Sequence, residues 1–437
     1  MADRSAEYRV ILNEGTAEIF FYRQKRDLSR FFSDGGDGGS IDGEILDILI
    51  QKTKEKLSGK AEVTGWSAAD EIVISLDISE SGPKSADEFI EAFLDSMAEY
   101  YEENEMHVTR MFGSYVHLKR EDGELKAVKA TPIPIRYCPL MTNLLTEVGG
   151  DTAVSLLKSV SDEDISVQTE MMCRLINDVV IKGGYFDTSR PLNSCEANVL
   201  FGASETMSTA FRSGLLDAAV IVSNNLGTII TTNDSNTQGA VKRMTGLFMT
   251  SPAKEIMNTA YEASIIPVFP HSAAIDQTAG VRHAVSLGYK KIAVSVAAHD
   301  NVHLDQISSF EKDGVSIYKF GLCSTGIDDT TAEMMENHAD LVWACASKAV
   351  RTRIEPNALA QVGIKIPVYI MTQKGWDLVK NHLQLTQADR GASVISYDEV
   401  QLQKGSKRPV ILNDSDSFKI ICADEIEECT DCPHPLV

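Results

Sequence analysis

The chain has no long uncharged apolar run. None of its 437 residues lies in a stretch that approaches the length needed to cross a bilayer. The first ten residues, Met1 to Val10, also lack the basic stretch followed by an apolar segment that marks a secretory signal. These two absences predict a soluble cytoplasmic protein.

Positive charge is scarce. The chain has 41 Lys and Arg against 63 Asp and Glu, which gives a formal net charge of −22. Binding a phosphate backbone needs a concentrated positive surface, so nucleic acid is not expected as a partner. An acidic surface promotes solubility and also suits a cytoplasm of high salt.

Cysteine is too sparse for a disulfide framework, because eight cysteines in a chain of this size indicate free thiols or metal ligands. Three of them, Cys138, Cys195 and Cys345, stand alone and far apart. Each lies where an apolar run gives way to small or turn-forming residues. Thiolates from separate segments can converge on one iron–sulfur cluster or one nucleophilic pocket.

Residues 1–105 are predicted to form a small N-terminal α+β domain. Tyr8–Leu12, Ala17–Tyr22 and Glu71–Asp77 have the apolar pattern of strands. Asp87–Tyr101 places its apolar residues on one helical face. Val108–Lys119 and Leu125–Ala130 then predict a hairpin around an Asp-Gly turn.

The pattern from residue 190 onward is a helix followed by a strand, repeated. Ser204–Ser213 precedes the strand Ala218–Ser223, and Thr278–Ser286 precedes the strand Ile292–Val296. The same pattern predicts two further helices, Asp328–His338 and Trp376–Leu383, and two further strands, Leu341–Ala344 and Val368–Met371. The predicted fold class is α/β, with repeated parallel α/β units in three layers over residues 106–410. Ligands gather beyond the carboxyl ends of such strands, which is where Cys345 lies.

Residues 411–437 form an acidic, cysteine-rich tail. It carries four residues with the chemistry and short spacing of zinc ligands: Cys422, Cys429, Cys432 and His434. The tail predicts a small zinc site that is separate from the α/β core.

A co-linear series of motifs spans about residues 106–385 and resembles the methanogenesis marker protein 8 family. The motifs are Arg136-Tyr137-Cys138-Pro139-Leu140, Phe201-Gly202-Ala203-Ser204-Glu205, Gly214 to Val222, Gly227 to Asn233, Thr250-Ser251-Pro252, Leu287 to Val294, Ala344-Cys345-Ala346-Ser347-Lys348 and Ile366-Pro367-Val368-Tyr369. The resemblance implies an archaeal protein of anaerobic metabolism, associated with methyl-coenzyme M reductase or with assembly of its metal cofactors. It implies no established reaction.

The leading hypothesis is a [4Fe–4S] cluster held by Cys138, Cys195 and Cys345, with one iron left open to a small anionic or sulfur-containing substrate. The chemistry would be that of a lyase, a desulfidase or a cofactor-maturation enzyme. Cys345, Glu205 and Lys348 are the candidate catalytic residues. Polar segments after apolar strands supply the candidate substrate ligands: Thr231, Thr232, Asn233, Gln238 and Ser251.

Three alternatives use the same residues differently. The cysteines could be small buried residues that pack like alanine. Cys323 and Cys345 could instead act as an acid and base pair without a metal, provided that one thiolate is stabilised. The chain could also be a non-catalytic assembly factor that docks on a larger reductase complex. In each case we expect a homo-oligomer without a membrane partner.

Overall fold

The structure is a computed structural model. It describes residues 6–24, 26–32, 41–58, 62–135, 138, 142, 143, 146, 150, 164–197, 199–299, 303–391, 396–414, 417–427, 432, 433, 436 and 437. The glycine-rich segment 34–40 lies outside these residues. Among the described residues, no helix combines the length and apolar character needed to cross a membrane.

The N-terminal unit is an antiparallel sheet covered by two helices. Its strands are β1 (Tyr8–Asn13), β2 (Thr16–Phe21), β3 (Glu62–Ala68) and β4 (Ile72–Asp77), in the order β1-β2-β4-β3. Its helices are α1 (Gly43–Lys56) and α2 (Lys84–Glu103). The apolar face predicted for α2 is confirmed, because Phe89 and Phe93 are fully buried and Phe93 lies 4.5 Å from Phe21, ring centre to ring centre.

A second antiparallel sheet contains β5 (Met106–Met111), β6 (Ser114–Glu121), β7 (Glu124–Ala130) and β10 (Gly246–Thr250), in the order β10-β5-β6-β7. The Asp-Gly hairpin is confirmed between β6 and β7. The single strand predicted over residues 108–119 is wrong, because the backbone turns at Phe112 (φ 51°) and Gly113 (φ 80°). A Cβ at Gly113 would lie 2.4 Å from Pro134, so this turn presses closely on the segment that follows β7.

The third sheet, which carries the α/β core, has ten strands among the described residues. Its additional strands are β8 (Ala218–Ser223), β9 (Gly227–Thr231), β11 (Ile266–Pro267), β12 (Lys291–Ala297), β13 (Ser316–Leu322), β14 (Leu341–Trp343), β15 (Ala360–Val362), β16 (Val368–Ile370), β17 (Pro409–Asp414) and β18 (Ser417–Cys422). Their order is β11-β9-β8-β12-β13-β14-β16-β15-β17-β18. The α/β class is confirmed. The sheet is mixed: the central strands β8, β12, β13 and β14 are parallel to one another. The strands β9, β11, β16 and β18 each pair antiparallel with a neighbour.

Helices cover both faces of this sheet. They are α4 (Ala203–Arg212), α5 (Asp234–Lys242), α6 (Lys254–Glu262), α7 (Gln277–Ser286), α8 (Leu304–Ser308), α9 (Asp329–His338) and α10 (Gln373–Asp389), with α3 (Ile165–Leu175) earlier in the chain against β7. Alternate residues of β8 face opposite layers: Ala219 and Ile221 pack with α4, α5, α6 and α10, whereas Ala218 and Val220 pack with α7, α8 and α9. The central layer is therefore buried on both sides, as a parallel sheet requires.

The last two strands extend the large sheet. β17 pairs in parallel with β15, and β18 pairs antiparallel with β17. The residues from 409 to 422 therefore belong to the sheet, although the sequence predicts that a separate tail begins at residue 411.

Candidate functional site

Two cysteines emerge from neighbouring parallel strands at the carboxyl edge of the large sheet. Cys323 directly follows β13, and Cys345 follows β14 by two residues. The register pairs Gly321 with Val342, so the two loops leave the sheet side by side. Both cysteines have positive φ angles, 53° and 46°, a strained region for a residue with a Cβ. Such strain persists at sites where the surroundings demand it, and this makes the thiol pair the leading candidate site.

The two thiols influence each other. Burial and, to a smaller extent, the nearby Cys345 raise the pKa of Cys323 to about 11, although Arg110 opposes both effects. Burial also raises the pKa of Cys345, against hydrogen bonds from Ser324 and the charges of Arg110 and Arg351. Both groups are therefore neutral thiols at pH 7, and a thiolate-binding metal would displace their protons.

Arginine side chains hold the two cysteine loops. Arg110, on β5, donates from Nη1 to the carbonyl of Cys323 at 3.1 Å, donates from Nη2 to the carbonyl of Thr325, and lies over the Tyr115 ring. Arg351 donates to the carbonyl of Cys345 at 3.4 Å. These contacts place two cations beside two thiols and tie the second sheet to the edge of the third.

His299 follows β12, the next strand along the same edge. Its ring lies 5.8 Å from Tyr115 and 6.3 Å from Phe248, centre to centre. Burial lowers the pKa of His299 well below its usual value, and Arg110 and Arg26 lower it further, so the imidazole is neutral. Its two ring nitrogens and Nε of Arg110 are shielded from solvent and have no hydrogen-bond partner among the described residues. Such orphaned groups each cost about 1–3 kcal/mol unless a ligand satisfies them.

Cys138 belongs to an apolar cluster that also contains Ala346 of the Cys345 loop. A Cβ at Gly113 would contact both Pro134 and, at 3.4 Å, Thr325. Thr325 in turn accepts from the backbone N–H of Ala346 at 3.3 Å, and Ala346 packs in one apolar cluster with Ile135 and Cys138. These relations place the segment that carries Cys138 near the loops of Cys323 and Cys345.

Cys195 lies elsewhere. The backbone N–H of Ser194 donates to Ser235 O at 2.9 Å, in the first turn of α5. That helix follows β9, whose last residue Thr231 pairs with Ala219 near the beginning of β8. Glu196, the residue after Cys195, pairs with Lys242 at the last residue of α5, so the exposed Cys195 lies beside this helix.

Most of the predicted substrate ligands lie on the end of β9 and on the start and middle of α5. Thr231 bonds the Thr237 hydroxyl at 2.6 Å, Asn233 caps α5 through Asn236 N, and Gln238 donates to the buried Glu205 at 3.1 Å. Thr232 lies between Thr231 and Asn233. These bonds give Thr231 and Asn233 a local structural role, whereas Gln238 Oε1 is buried without a hydrogen-bond partner among the described residues.

Ser251 and Lys348 have different surroundings. Ser251 Oγ accepts from Met106 N and donates to Met106 O, each at 3.0 Å, so it joins β10 to β5. Lys348 is exposed beside the Cys345 loop. Of the candidate catalytic and substrate residues other than Cys345, Lys348 lies nearest to the thiol pair along the chain.

Residues 436–437 form a strap over the two cysteine loops. The backbone N–H of Val437 donates to Ala346 O at 3.0 Å, and Val437 O accepts from Gly326 N at 3.2 Å and Lys348 N at 2.9 Å. Leu436 and Val437 also pack against the cluster that contains Cys138. The strap covers one side of the thiol pair.

The predicted zinc site in the tail falls only partly within the described residues, because Cys429 and His434 lie outside them. Cys422 pairs with Pro409 at the beginning of β17. Cys432 instead contacts Ile364 O at 4.0 Å, beyond the end of β15, so the two thiols lie at different ends of these strands. Cys422, Asp424 and Glu425 each offer a ligand atom, and these three atoms lie within 4.8 Å of one another, close enough to share a metal ion.

A second polar cluster is fully enclosed. His107 Nε2 lies 2.9 Å from Glu105 and its Nδ1 lies 2.8 Å from the Thr250 hydroxyl, which also accepts from Asn225 N. Burial opposes ionisation of Glu105, but His107 and Arg120 outweigh it and lower the pKa of Glu105 to about 2. Since a carboxylate only accepts, Nε2 carries the proton and Thr250 donates to Nδ1. The arrangement is that of a hydroxyl, a base and a carboxylate, but His107 and Thr250 are buried, so we interpret it as a structural link between the sheets.

Comparison with known proteins decides the family. The profile of the archaeal family described as "Uncharacterized protein conserved in archaea (DUF2099)" matches residues 107–384. The chain belongs to this family. It is also 32% identical over 254 residues to the "Uncharacterized protein MJ0054" of Methanocaldococcus jannaschii, a match that covers 58% of this chain and 83% of that protein. The family match begins within β5 and ends within α10. It therefore contains Cys323, Cys345 and Arg110.

Proposed function

We propose that this chain is an iron–sulfur protein of anaerobic, methanogen-type metabolism whose cluster is held by Cys138, Cys323 and Cys345. The observation that carries the proposal is the pairing of Cys323 and Cys345 at the ends of two adjacent parallel strands. In this ligand set, Cys323 replaces Cys195, which was predicted from the sequence as the third cluster ligand. The archaeal family and the resemblance to methanogenesis marker protein 8 support the metabolic setting.

The residues present fit such a group. The site offers soft sulfur ligands from separate segments, which is the donor set that iron–sulfur clusters use. The charges of Arg110 and Arg351 would balance the negative charge of thiolate ligands. Ser324 hydrogen-bonds the sulfur of Cys345, and hydrogen bonds to sulfur tune the reduction potential of a cluster. A cluster with three protein ligands supplies an open iron that acts as a Lewis acid, which is consistent with lyase, desulfidase or cofactor-maturation chemistry.

The protein's own groups would then bind and shield the substrate. The strap of residues 436–437 would hold the two cysteine loops in place through its backbone hydrogen bonds to Ala346, Gly326 and Lys348. Neutral His299 can donate from one ring nitrogen and accept at the other, so it suits a hydroxyl or a protonated carboxyl group of a ligand. Arg110 Nε offers a further donor.

A second candidate uses the same pair without a metal. Two facing thiols can protonate and deprotonate a carbon acid when one of them is ionised. Because the pKa values of both thiols are raised, either thiol can act as the acid, but the thiolate that must act as the base is disfavoured. The two nearby arginines are the groups that would have to stabilise it.

Anaerobic purification followed by iron and sulfide analysis and electron paramagnetic resonance separates the two candidates. We expect near-stoichiometric iron and sulfide in the native chain and a strong decrease in the Cys138→Ser variant. A chain that stays free of iron after anaerobic purification and chemical reconstitution would contradict the proposal. If that iron-free chain also exchanged solvent deuterium into a small carbon acid, the metal-free mechanism would take its place.

A further inference from the structure

The N-terminal unit docks on one loop of the α/β core, residues 268–276, which joins β11 to α7. Glu7 lies directly before β1 and is only 3% exposed. One of its oxygens accepts from His271 N at 2.9 Å, from Ser272 N at 3.0 Å and from the Ser272 hydroxyl at 3.1 Å. The other oxygen lies 2.8 Å from His271 Nδ1. A single carboxylate thus holds two successive residues of the core loop.

The segment after β2 holds the second half of the same loop. The Gln24 side chain donates to Ile275 O at 3.0 Å and accepts from Ile275 N at 3.2 Å. The Tyr22 hydroxyl donates to Asp276 at 3.1 Å, and the Tyr22 ring lies 4.4 Å from that of Phe269, centre to centre. Backbone groups of the core loop are therefore bonded to side chains from both ends of the hairpin β1–β2.

The docked loop forms part of the wall of a cleft that reaches Cys323. The cleft has a volume of about 340 Å³, which falls in the range of sites for small molecules. Residues 275–278 line it from the core, and Tyr22 and Gln24 line it from the N-terminal unit. This part of the wall therefore depends on the docking of the N-terminal unit.

His271 is the group in this interface that titrates near neutral pH. Burial opposes its protonation, but the hydrogen bond and charge of Glu7, together with the charge of Asp95 on α2, outweigh burial and raise the pKa of His271. Among the described residues, three further ionisable groups lie near Glu7: Tyr101 on α2, Tyr261 on α6 and Arg23 after β2. Burial raises the pKa of both phenols, and a guanidinium stays charged, so none of the three changes its charge near neutral pH.

We propose that the N-terminal unit is a lid on the cleft beside Cys323, and that Glu7 and His271 form its pH-sensitive latch. A proton on His271 makes the contact an ion pair, whereas its loss leaves a hydrogen bond from a neutral ring. Because the docked state raises the pKa of His271, the proton stabilises docking fully below the usual value of 6.5. That contribution is lost as the pH rises through the raised pKa. The regulatory meaning rests on the proposed function, since Cys323 belongs to the proposed metal site, but the docking itself does not.

Hydrogen–deuterium exchange of the full chain at about pH 6 and about pH 8 tests the latch. The backbone amides of His271, Ser272 and Ile275 report docking directly, since each donates to a side chain of the N-terminal segment. After correction for the intrinsic exchange rate at each pH, we expect about fivefold less protection at the higher pH. This is the difference between a charge-assisted and a neutral hydrogen bond.

Glu7→Gln should remove this pH dependence while the protein stays folded. The amide oxygen can still accept from the two N–H groups, and the amide nitrogen can donate to the unprotonated Nδ1 of His271. Glu71→Gln is the matched control, because Glu71 lies in the same unit but is exposed and pairs with Arg9. It should keep the pH dependence of the native chain.

Alkylation of the partly exposed Cys323 by a maleimide, at one fixed pH and in the metal-free chain, tests the lid. Glu7→Ala removes the contacts to His271 and Ser272, so Cys323 should react at least about fivefold faster than in the Glu71→Ala control. Mass spectrometry of the peptide that contains Cys323 measures the rate. If Glu7→Ala does not fold, the Glu7→Gln comparison still decides.

The inference is overturned if the native chain shows no pH dependence of protection, or if Glu7→Gln retains it. It is also overturned if Cys323 reacts equally fast in the Glu7→Ala and Glu71→Ala chains. Iron content measured on the same preparations before metal removal keeps the two proposals apart. Bound iron without the pH dependence refutes only the latch, and the pH dependence without bound iron refutes only the cluster.

Discussion

Cys345→Ser is expected to lose nearly all of the iron bound by the native chain after anaerobic purification, and Cys323→Ser is expected to behave in the same way. Each change removes one sulfur from a site where the two thiols lie at the ends of adjacent strands. A hydroxyl is a poor substitute for a thiolate as a ligand of iron–sulfur clusters. Iron and sulfide analysis of matched preparations measures the effect.

Cys195→Ser is the control for this experiment. The Cys195 side chain is exposed beside α5, so the iron content of this variant should match that of the native chain. Cys173→Ser provides a second control, because Cys173 lies on α3 and burial raises its pKa to about 11. If the Cys195→Ser variant lost iron while the Cys323→Ser variant retained it, the ligand set would be Cys138, Cys195 and Cys345, as inferred from the sequence. The ligand set proposed here would then be contradicted.

Gly239→Ala is expected to destabilise the fold by about 3 kcal/mol or more, the upper range for forcing extra volume into a packed region. A Cβ at this position of α5 would lie 2.3 Å from Asn193 N and 2.4 Å from Asn193 Cα. Both are backbone atoms, which cannot move aside as a flexible side chain can. Urea unfolding of the two chains measures the change in the free energy of unfolding.

The comparison also tests the location of Cys195, because the clash exists only if residues 192–195 lie against α5. Gly65→Ala is the matched control, since nothing lies within 4 Å of a Cβ on that strand residue. We expect it to change stability by less than about 0.5 kcal/mol. Equal stability of the Gly239→Ala and Gly65→Ala chains would mean that the segment before Cys195 is free to lie elsewhere, including near Cys345.

Much of the fold could be predicted from local patterns. The strand Ala218–Ser223 and the hairpin at Asp122-Gly123 are confirmed as predicted, and the helix over residues 329–338 differs from its prediction by one residue. These elements have short-range signals: alternation or a continuous apolar run, a turn pair, and an Asp cap. The same signals located Cys345 at the carboxyl end of a strand.

The sequence paired Cys323 with Cys345 only in the metal-free alternative, because β13 was not predicted. Ser316–Leu322 contains Tyr318 and Lys319, and Lys319 is buried only because it pairs with Glu311. A lysine in a short apolar run weakens the pattern of a buried strand. Once β13 is known, Cys323 is seen to follow the carboxyl end of its strand, as Cys345 follows the carboxyl end of β14.

Long-range contacts account for the rest of the site. Arg110 reaches Cys323 across 213 residues of sequence and comes from a different sheet. The position of Cys195 depends on the packing of its segment against α5, which the spacing of cysteines does not encode. Residues far apart in sequence meet only through tertiary packing, so single-sequence reasoning ranked these candidates by chemistry alone.

The central claim is that Cys323 and Cys345 form one site, and titration with Cd²⁺ tests it most directly. The titration uses the metal-free chain with Cys422→Ser and Cys429→Ser, which removes two of the three thiols of the tail. The account predicts one tight Cd²⁺ with ultraviolet cadmium–thiolate absorption and release of at least two protons at pH 7, because the thiols of Cys323 and Cys345 are protonated beforehand. Adding either Cys323→Ser or Cys345→Ser should abolish the tight binding, while Cys195→Ser should not. Tight binding that survives both single changes would contradict the account.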